Sequence, residues 1–90
     1  MAKEVIKKSG QREPFDPDKI KDAIWGAAQR TDLSDEIKDQ IVEEVSEKII
    51  ERFQNVDVVA TSEIRDAILE ELDNIAPDVA TSWREYEAKK

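Results

Sequence analysis

The stretch VIKKSGQREPFDPDKI, residues 5–20, decides how the chain begins to fold. Ser9-Gly10 separates two short extended runs and predicts a hairpin turn, since glycine accepts the positive φ that such turns need. Asp16-Pro17 predicts a helix start, because aspartate is a good N-cap and proline loses nothing at the first helical position. The stretch therefore predicts a β-hairpin over Glu4–Phe15, followed at once by a helix.

The predicted hairpin must belong to a larger sheet, because an isolated hairpin is marginal in water. Pro14 has no backbone N–H, so we expect the second strand to pair on one side only. Val58-Val59-Ala60 is a β-branched and apolar run, and it predicts a third short strand that joins the hairpin.

The remaining chain has apolar residues at helical spacing and predicts four helices. Their expected bounds are Pro17–Arg30, Ser34–Phe53, Ser62–Asn74 and Pro77–Ala88, with Thr61-Ser62 as the cap of the third. The second helix is expected to bury Ile37, Ile41, Val45, Ile49 and Phe53. The fourth helix is expected to have one inward face, formed by Val79, Ala80, Trp83 and Tyr86. Residues 1–90 are therefore predicted to be a single domain, mostly α with a small β element: a four-helix bundle capped by an N-terminal β-hairpin plus one short strand.

Charge is distributed unevenly along the chain, whose net charge is −8. Residues 1–30 contain seven Lys or Arg and five Asp or Glu, whereas residues 31–90 contain seven and seventeen. A locally basic end on an acidic chain can hold an anion. The net charge argues against non-specific DNA binding, and the prediction is no direct contact with nucleic acid.

Composition also disfavours several classes of protein. The chain has no cysteine and no histidine, so it lacks disulfides, thiolate metal sites and the usual general base at neutral pH. No nucleophile–base pair is visible, and we predict neither catalytic residues nor a protein metal site. No apolar run reaches the roughly 20 residues that span a bilayer, and no secretory signal is visible, so the expected location is the cytoplasm, with no membrane partner.

Basic and hydroxyl side chains on the hairpin and at two helix starts could meet at one anion site. Lys7 and Lys8 lie on the hairpin, Lys19 lies in the first turn of the first helix, and Thr61 and Arg65 lie at the start of the third. Cations and helix N-termini are the components of a phosphate site. Each residue also has a simpler explanation, because a lysine is usually a solvated surface residue and Thr61 is favoured as a helix cap.

Two motifs of the sequence resemble a known family. The pattern V-x-K-K-x-G-x-x-E-x-F-D-x-x-K-I runs from Val5 to Ile20, and V-x-T-x-E-I-x-D runs from Val59 to Asp66. Together they resemble the ATP-cone, a regulatory nucleotide-binding module of many ribonucleotide reductases and of the bacterial repressor of their operons. The resemblance covers about residues 4–88, and the family's fold is a small helical bundle capped by a small sheet.

The resemblance implies several contacts with the phosphates of a nucleotide. Lys7 and Lys8 would hold phosphates, although the second position is commonly arginine in the family, so that Lys8 keeps the charge and loses the bidentate fork. Lys19 would reach the phosphates or the ribose, and Thr61 would contact a phosphate. Arg65 lies where the family varies and could tune ATP against dATP.

The resemblance also implies contacts with the base and the sugar. Val5 would lie against the base, and Glu13 and Asp16 would approach the adenine or the ribose. The family often has asparagine where Asp16 stands, so a neutral amide is lost there. Ile20 ends the first motif and completes the expected set of binding residues.

The function that the resemblance implies is allosteric. The module would bind ATP or dATP without hydrolysis, with Mg²⁺ accompanying the triphosphate, and would switch an attached or partner activity such as ribonucleotide reduction. Its partners would be a parent or partner domain, which could be a reductase, and further copies through nucleotide-dependent self-association. The alternative is a small acidic helical interaction module that no longer binds nucleotide. These residues hold neither a reductase barrel nor a cysteine-rich zinc ribbon, so we expect an excised domain or a stand-alone cone.

Overall fold

A three-stranded sheet joins the N-terminal hairpin to the middle of the chain in the computed structural model, which describes residues 3–89. Strands β1 (Glu4–Ile6) and β2 (Arg12–Pro14) are antiparallel, and β3 (Val58–Ala60) pairs in parallel with β1. The order β2-β1-β3 leaves β2 at an edge, where the missing N–H of Pro14 costs no sheet hydrogen bond. The predicted hairpin and third strand are confirmed.

Backbone hydrogen bonds hold both ends of this sheet. In the hairpin turn Gly10 has a φ of 91°, and its N–H donates to the carbonyl of Lys7 at 2.8 Å. At the other end the carbonyl of Asp57 accepts from the N–H groups of Lys3 and Glu4, each at 3.1 Å. The hairpin is thus tied to the segment that leads into β3.

Four helices follow in the predicted order, with small differences at their ends. They are α1 (Pro17–Ala28), α2 (Asp35–Arg52), α3 (Thr61–Ile75) and α4 (Pro77–Ala88). Helix α1 ends two residues earlier than predicted, where the hydroxyl of Thr31 donates to the carbonyl of Ala28 at 2.7 Å. Ser34 caps α2 by accepting from the N–H of Ile37 at 3.3 Å.

The helices and the sheet share one core. Its fully buried large apolar side chains come from every helix and from β3, and they are Ile24, Val45, Ile49, Val59, Leu72 and Val79. Between α1 and α4 the buried hydroxyl of Ser82 donates to the carbonyl of Ala27 at 2.8 Å, so it has a partner. The predicted fold class, mostly α with a small β element, is confirmed. Among residues 3–89 no helix combines the length and the apolar character needed to cross a membrane.

Two apolar residues that we expected to face inward are exposed. Ile37 in the first turn of α2 is 44% exposed, and Tyr86 near the end of α4 is 43% exposed. The guanidinium of Arg30 lies over the Tyr86 ring, 3.8 Å from its centroid. Helical spacing gives the direction of a side chain on its own helix, but it does not say whether a neighbouring element covers that side chain.

Candidate functional site

The end of β1 lies beside the start of α3, because β1 and β3 are parallel and β3 runs directly into α3. Ile6 is opposite Ala60 in the register, so the residues that follow the two strands are neighbours. These residues are Lys7 and Lys8 after β1, and Thr61 and Ser62 after β3. The parallel pairing therefore brings the first motif of the sequence to the second.

A pocket of about 220 Å³ lies beside this junction and is lined by residues of the hairpin, α1, α3 and α4. Its apolar lining consists of Val5, Pro14, Phe15, Ile20, Ala23, Ile64, Ile68 and Trp83. Its polar lining consists of Glu13, Asp16, Lys19, Thr61 and Arg65. Seven of the nine residues predicted for the site thus line one pocket, and the two others are Lys7 and Lys8.

Lys7 and Lys8 line a neighbouring open groove of about 840 Å³ instead. The other residues of the groove are Ile6, Ala60, Thr61, Ser62, Arg65 and Glu87. Thr61 and Arg65 line both spaces, so the pocket and the groove adjoin at the start of α3. An apolar pocket next to a cationic groove suits a ligand with a flat apolar part and an anionic tail.

Thr61 is the first residue of α3 and does not cap it. Ala60 is at the N-cap position and has no side-chain acceptor. Glu63 folds back, and its Oε1 accepts from the N–H of Ala60 at 3.3 Å. The prediction that Thr61-Ser62 caps this helix is therefore wrong. The Thr61 side chain is exposed and makes no hydrogen bond with another residue in the described part of the chain, so an anion can reach it at the start of the helix.

Glu13 holds two of the lysines that were predicted to bind phosphate. Its Oε1 lies 2.7 Å from Nζ of Lys7, and its Oε2 lies 3.3 Å from Nζ of Lys19. The hydrogen bond from Lys7, and after it the one from Lys19, lowers the pKa of Glu13 below its ordinary value. Glu13 therefore links the hairpin to α1 and offsets part of the positive charge of both lysines.

Arg65 is surrounded by carboxylates. Its Nε donates to Oε2 of Glu87 at 2.7 Å, its Nη2 donates to Oε1 of Glu87 at 2.6 Å, and its Nη1 donates to Oδ1 of Asp66 at 2.8 Å. These bonds, that with Glu87 first, raise the pKa of the guanidinium. The fork that holds Glu87 is also the geometry in which arginine binds a phosphate.

Asp16 accepts a hydrogen bond within the protein, whereas Lys8 forms no ion pair in the described part of the chain. Oδ1 of Asp16 accepts from the N–H of Asp18 at 3.0 Å, so Asp16 is the predicted cap of α1 and also lines the pocket. Lys8 is exposed and has no ion-pair partner among residues 3–89. Within the same residues no group of three or more His, Cys, Asp or Glu side chains could hold a metal ion.

Two residues of α4 at the site were not among those predicted for it. Trp83 lines the pocket and Glu87 lines the groove. The indole Nε1 of Trp83 is buried without a hydrogen-bond partner in the described part of the chain, a state that costs about 1–3 kcal/mol. The sequence indicated that Trp83 faces inward on α4, but it contains no signal for the position of α4 beside the hairpin.

Several curated proteins are similar to this chain over most of its length. Transcriptional repressor NrdR of Lactobacillus gasseri is 37% identical over 76 residues, which are 84% of this chain and 47% of that protein. The proteins of the same name from Dictyoglomus turgidum and from a Synechococcus strain are 34% and 33% identical, over 79% and 80% of this chain and 46% and 35% of their own length. The chain thus spans less than half the length of these relatives.

The prediction that nucleic acid is not a direct partner is wrong, because these relatives are transcriptional repressors, and such repressors bind DNA. The prediction depended on the net charge of −8, which disfavours only non-specific contact through the surface of these 90 residues. The net charge of these residues says nothing about the part of the relatives that this chain does not match.

A family model extends the similarity to nearly the whole chain. The model of the ATP cone domain matches residues 3–90 and so includes both motifs and all residues of the pocket and the groove. Domains of this family bind nucleotides. The chain belongs to the ATP-cone domain family.

Proposed function

We propose that this domain is a cytoplasmic allosteric sensor that binds ATP and dATP in competition and hydrolyses neither. The observation that carries the proposal is the convergence of seven predicted binding residues on one pocket, which opens onto a groove with the two other residues. Two sequence motifs that are far apart in the chain thus form one continuous surface.

In this proposal the two spaces bind different parts of the nucleotide. Val5 and Ile20 contribute to the apolar lining that contacts the adenine, while Glu13 and Asp16 are near the ribose or the base edge. The pocket of about 220 Å³ is smaller than the roughly 300–1,000 Å³ of most ligand pockets, so the triphosphate extends into the groove. There it meets Lys7, Lys8 and Thr61 at the start of α3.

Three of the four cations of the site, Lys7, Lys19 and Arg65, are already paired, so binding to them is an exchange of partners. Glu13 holds Lys7 and Lys19, and a triphosphate offers these lysines a stronger, multiply charged acceptor. Mg²⁺ would then enter with the phosphates, since Mg²⁺ keeps several waters and binds one or two carboxylates plus substrate phosphates. Glu13 fits this role, since it lines the pocket and its Oε1 contacts Lys7 of the groove.

The switched activity is that of a parent or partner domain. The relatives favour repression of transcription as this activity, and ribonucleotide reduction is the other activity that the family implies. A sensor of either kind must bind its ligand more tightly in one state than in the other, because equal affinity for both states shifts nothing. Nucleotide-dependent self-association is the simplest way to create two such states.

Isothermal titration calorimetry with ATP and dATP at millimolar Mg²⁺ tests the proposal. We expect each nucleotide to bind, to be displaced by the other, and to be recovered intact after prolonged incubation. If the folded protein binds neither, the proposal is wrong and the acidic interaction module becomes the better explanation. Light scattering with and without dATP tests self-association, and an unchanged mass would exclude assembly as the switch.

A further inference from the structure

Arg65 lies where the apolar pocket adjoins the cationic groove, and it lines both. The lysines of the groove have donors to spare, because an ammonium group has three N–H bonds, Lys7 contacts one carboxylate and Lys8 contacts none among residues 3–89. Arg65 is engaged differently: three of its five N–H bonds donate to carboxylates, and Glu87 occupies the fork of Nε and Nη2. A phosphate can therefore use that fork only by displacing Glu87.

The two carboxylates on Arg65 are not equivalent. Asp66 is its neighbour on α3 and accepts one bond, so its release separates no elements. Glu87 accepts from Nε and Nη2 and ties the start of α3 to the last turn of α4. A phosphate that pairs with this Nε–Nη2 fork competes directly with Glu87.

We infer that Glu87 is a resident competitor for the Nε–Nη2 edge of Arg65, and that the nucleotide displaces it and removes one tie between α3 and the last turn of α4. This inference depends on the proposed function, because it takes the same pocket and groove as the nucleotide site. It makes Glu87 a residue that sets the affinity for the triphosphate. It also gives a route by which a bound nucleotide changes the surface at the end of α4.

Other contacts keep α4 in place when this tie is lost, and at its end the Arg30 guanidinium lies over the Tyr86 ring, 3.8 Å from its centroid. Arg84 forms two hydrogen bonds with Asp73 of α3, both at 2.8 Å, and Ser82 donates to the carbonyl of Ala27. Glu87 also lines a second groove of about 300 Å³ between α1 and α4, together with Asp22, Gly26, Arg30, Trp83 and Tyr86 among others. Movement of Glu87 therefore changes a surface that a partner domain can contact.

The substitution Glu87→Gln tests the competition, because it keeps the shape of the side chain and removes its charge. We expect ATP to bind about two- to fivefold more tightly, the range that fits an exposed ion pair, whereas adenosine affinity stays unchanged because adenosine has no phosphate. Glu70→Gln is the matched control: it makes the same substitution and weakens the Arg52–Glu70 ion pair between α2 and α3, whose residues line neither the pocket nor the groove. This control should bind ATP like the wild type.

The substitution Arg65→Ala decides whether Glu87 acts through Arg65. In this background Glu87→Gln should bring no gain, and a gain that persists would reflect general charge and overturn the inference. Amide hydrogen exchange tests the release: saturation with ATP should speed exchange in residues 85–88 of the wild-type protein, and unchanged exchange would overturn it.

The outcomes separate the inference from the proposed function. If the wild-type protein binds ATP and the Glu87→Gln variant binds it with equal affinity, the nucleotide site stands and only the competition is overturned. A wild-type protein that binds neither ATP nor dATP overturns both.

Discussion

The hairpin end and the helical body of this domain both carry many ion pairs, but the pairs differ in their surroundings. In the body, Arg52 of α2 reaches Glu70 and Glu71 of α3 at 3.3 and 3.8 Å. The same two helices share the fully buried Ile49 and Leu72, so the core holds them together and the ion pairs add little.

At the hairpin end the paired cations surround open space. Lys7, Lys19 and Arg65 pair with Glu13, Glu87 and Asp66 around a pocket and a groove. A ligand can take over these cations without opening the core. The difference teaches that ion pairs of similar length add little over a packed core, whereas beside a pocket a ligand can exchange with them. Four further experiments compare the two regions.

The largest effect on stability is expected in the body. Leu72 is fully buried on α3, so Leu72→Ala should lower the free energy of unfolding by about 2–5 kcal/mol through lost burial and a cavity. Ile37→Ala is the control, because Ile37 is 44% exposed on α2 and its loss should cost less than about 0.5 kcal/mol. Urea unfolding measures both, and equal losses would contradict the described core.

The largest effect on binding is expected at the hairpin end. The double variant Lys7→Ala, Lys19→Ala should weaken ATP binding by about 3 kcal/mol, or roughly 150-fold, because it removes charged hydrogen bonds to phosphate. Lys48→Ala is the control, since Lys48 pairs with Glu71 on the body at 3.7 Å. Calorimetry measures both affinities. Undiminished affinity in the double variant would mean that ATP binds at another site.

The two glycines of the chain should respond in opposite directions. Gly10 has a φ of 91°, so Gly10→Ala strains the hairpin turn and should destabilise the fold by about 1–2 kcal/mol. Gly26 lies within α1, and a Cβ there meets nothing within 4 Å, so Gly26→Ala should stabilise by about 0.5–1 kcal/mol. Thermal unfolding compares the two variants, and a stabilising Gly10→Ala would contradict the turn.

The smallest effect is expected from the pH dependence of Glu13. Its lysine partners lower its pKa in the folded state below the ordinary 4.5, so ionised Glu13 stabilises the fold above that value, and the contribution disappears as pH falls through the folded pKa. The difference in unfolding free energy between wild type and Glu13→Gln should stay constant from neutral pH down to about 5 and close at lower pH. If this difference in unfolding free energy widens in acid, the pKa of Glu13 is raised in the folded state and the prediction is wrong.

Local signals made most of the fold predictable. Gly10 marks the hairpin turn and Asp16-Pro17 marks the start of α1, because each depends on the backbone preferences of the residues themselves. The start of α3 was predicted less well. Pairing of β3 with β1 keeps Ala60 extended, with φ −77° and ψ 147°, so the N-cap lies one residue earlier than the capping preferences of Thr61 indicate.

The structure brings the nine residues named for the candidate site to adjoining spaces, and this arrangement was not predictable from the sequence. The two motifs supplied nine residues, and seven line one pocket while Lys7 and Lys8 line the adjoining groove. Trp83 and Glu87 could not be predicted as part of it. Their presence depends on how α4 packs along α3, and that packing results from many weak apolar contacts rather than from one pattern.

By itself the sequence determined the order of the elements, the turn at Gly10, the cap at Asp16, and a basic end on an acidic chain. These features depend on neighbouring residues and on composition. Only the tertiary structure decided which carboxylate each cation meets, Glu13 for Lys7 and Lys19, and Glu87 for Arg65. The physical reason is distance: a charged pair forms only where packing brings two side chains within about 4 Å, whatever their separation along the chain.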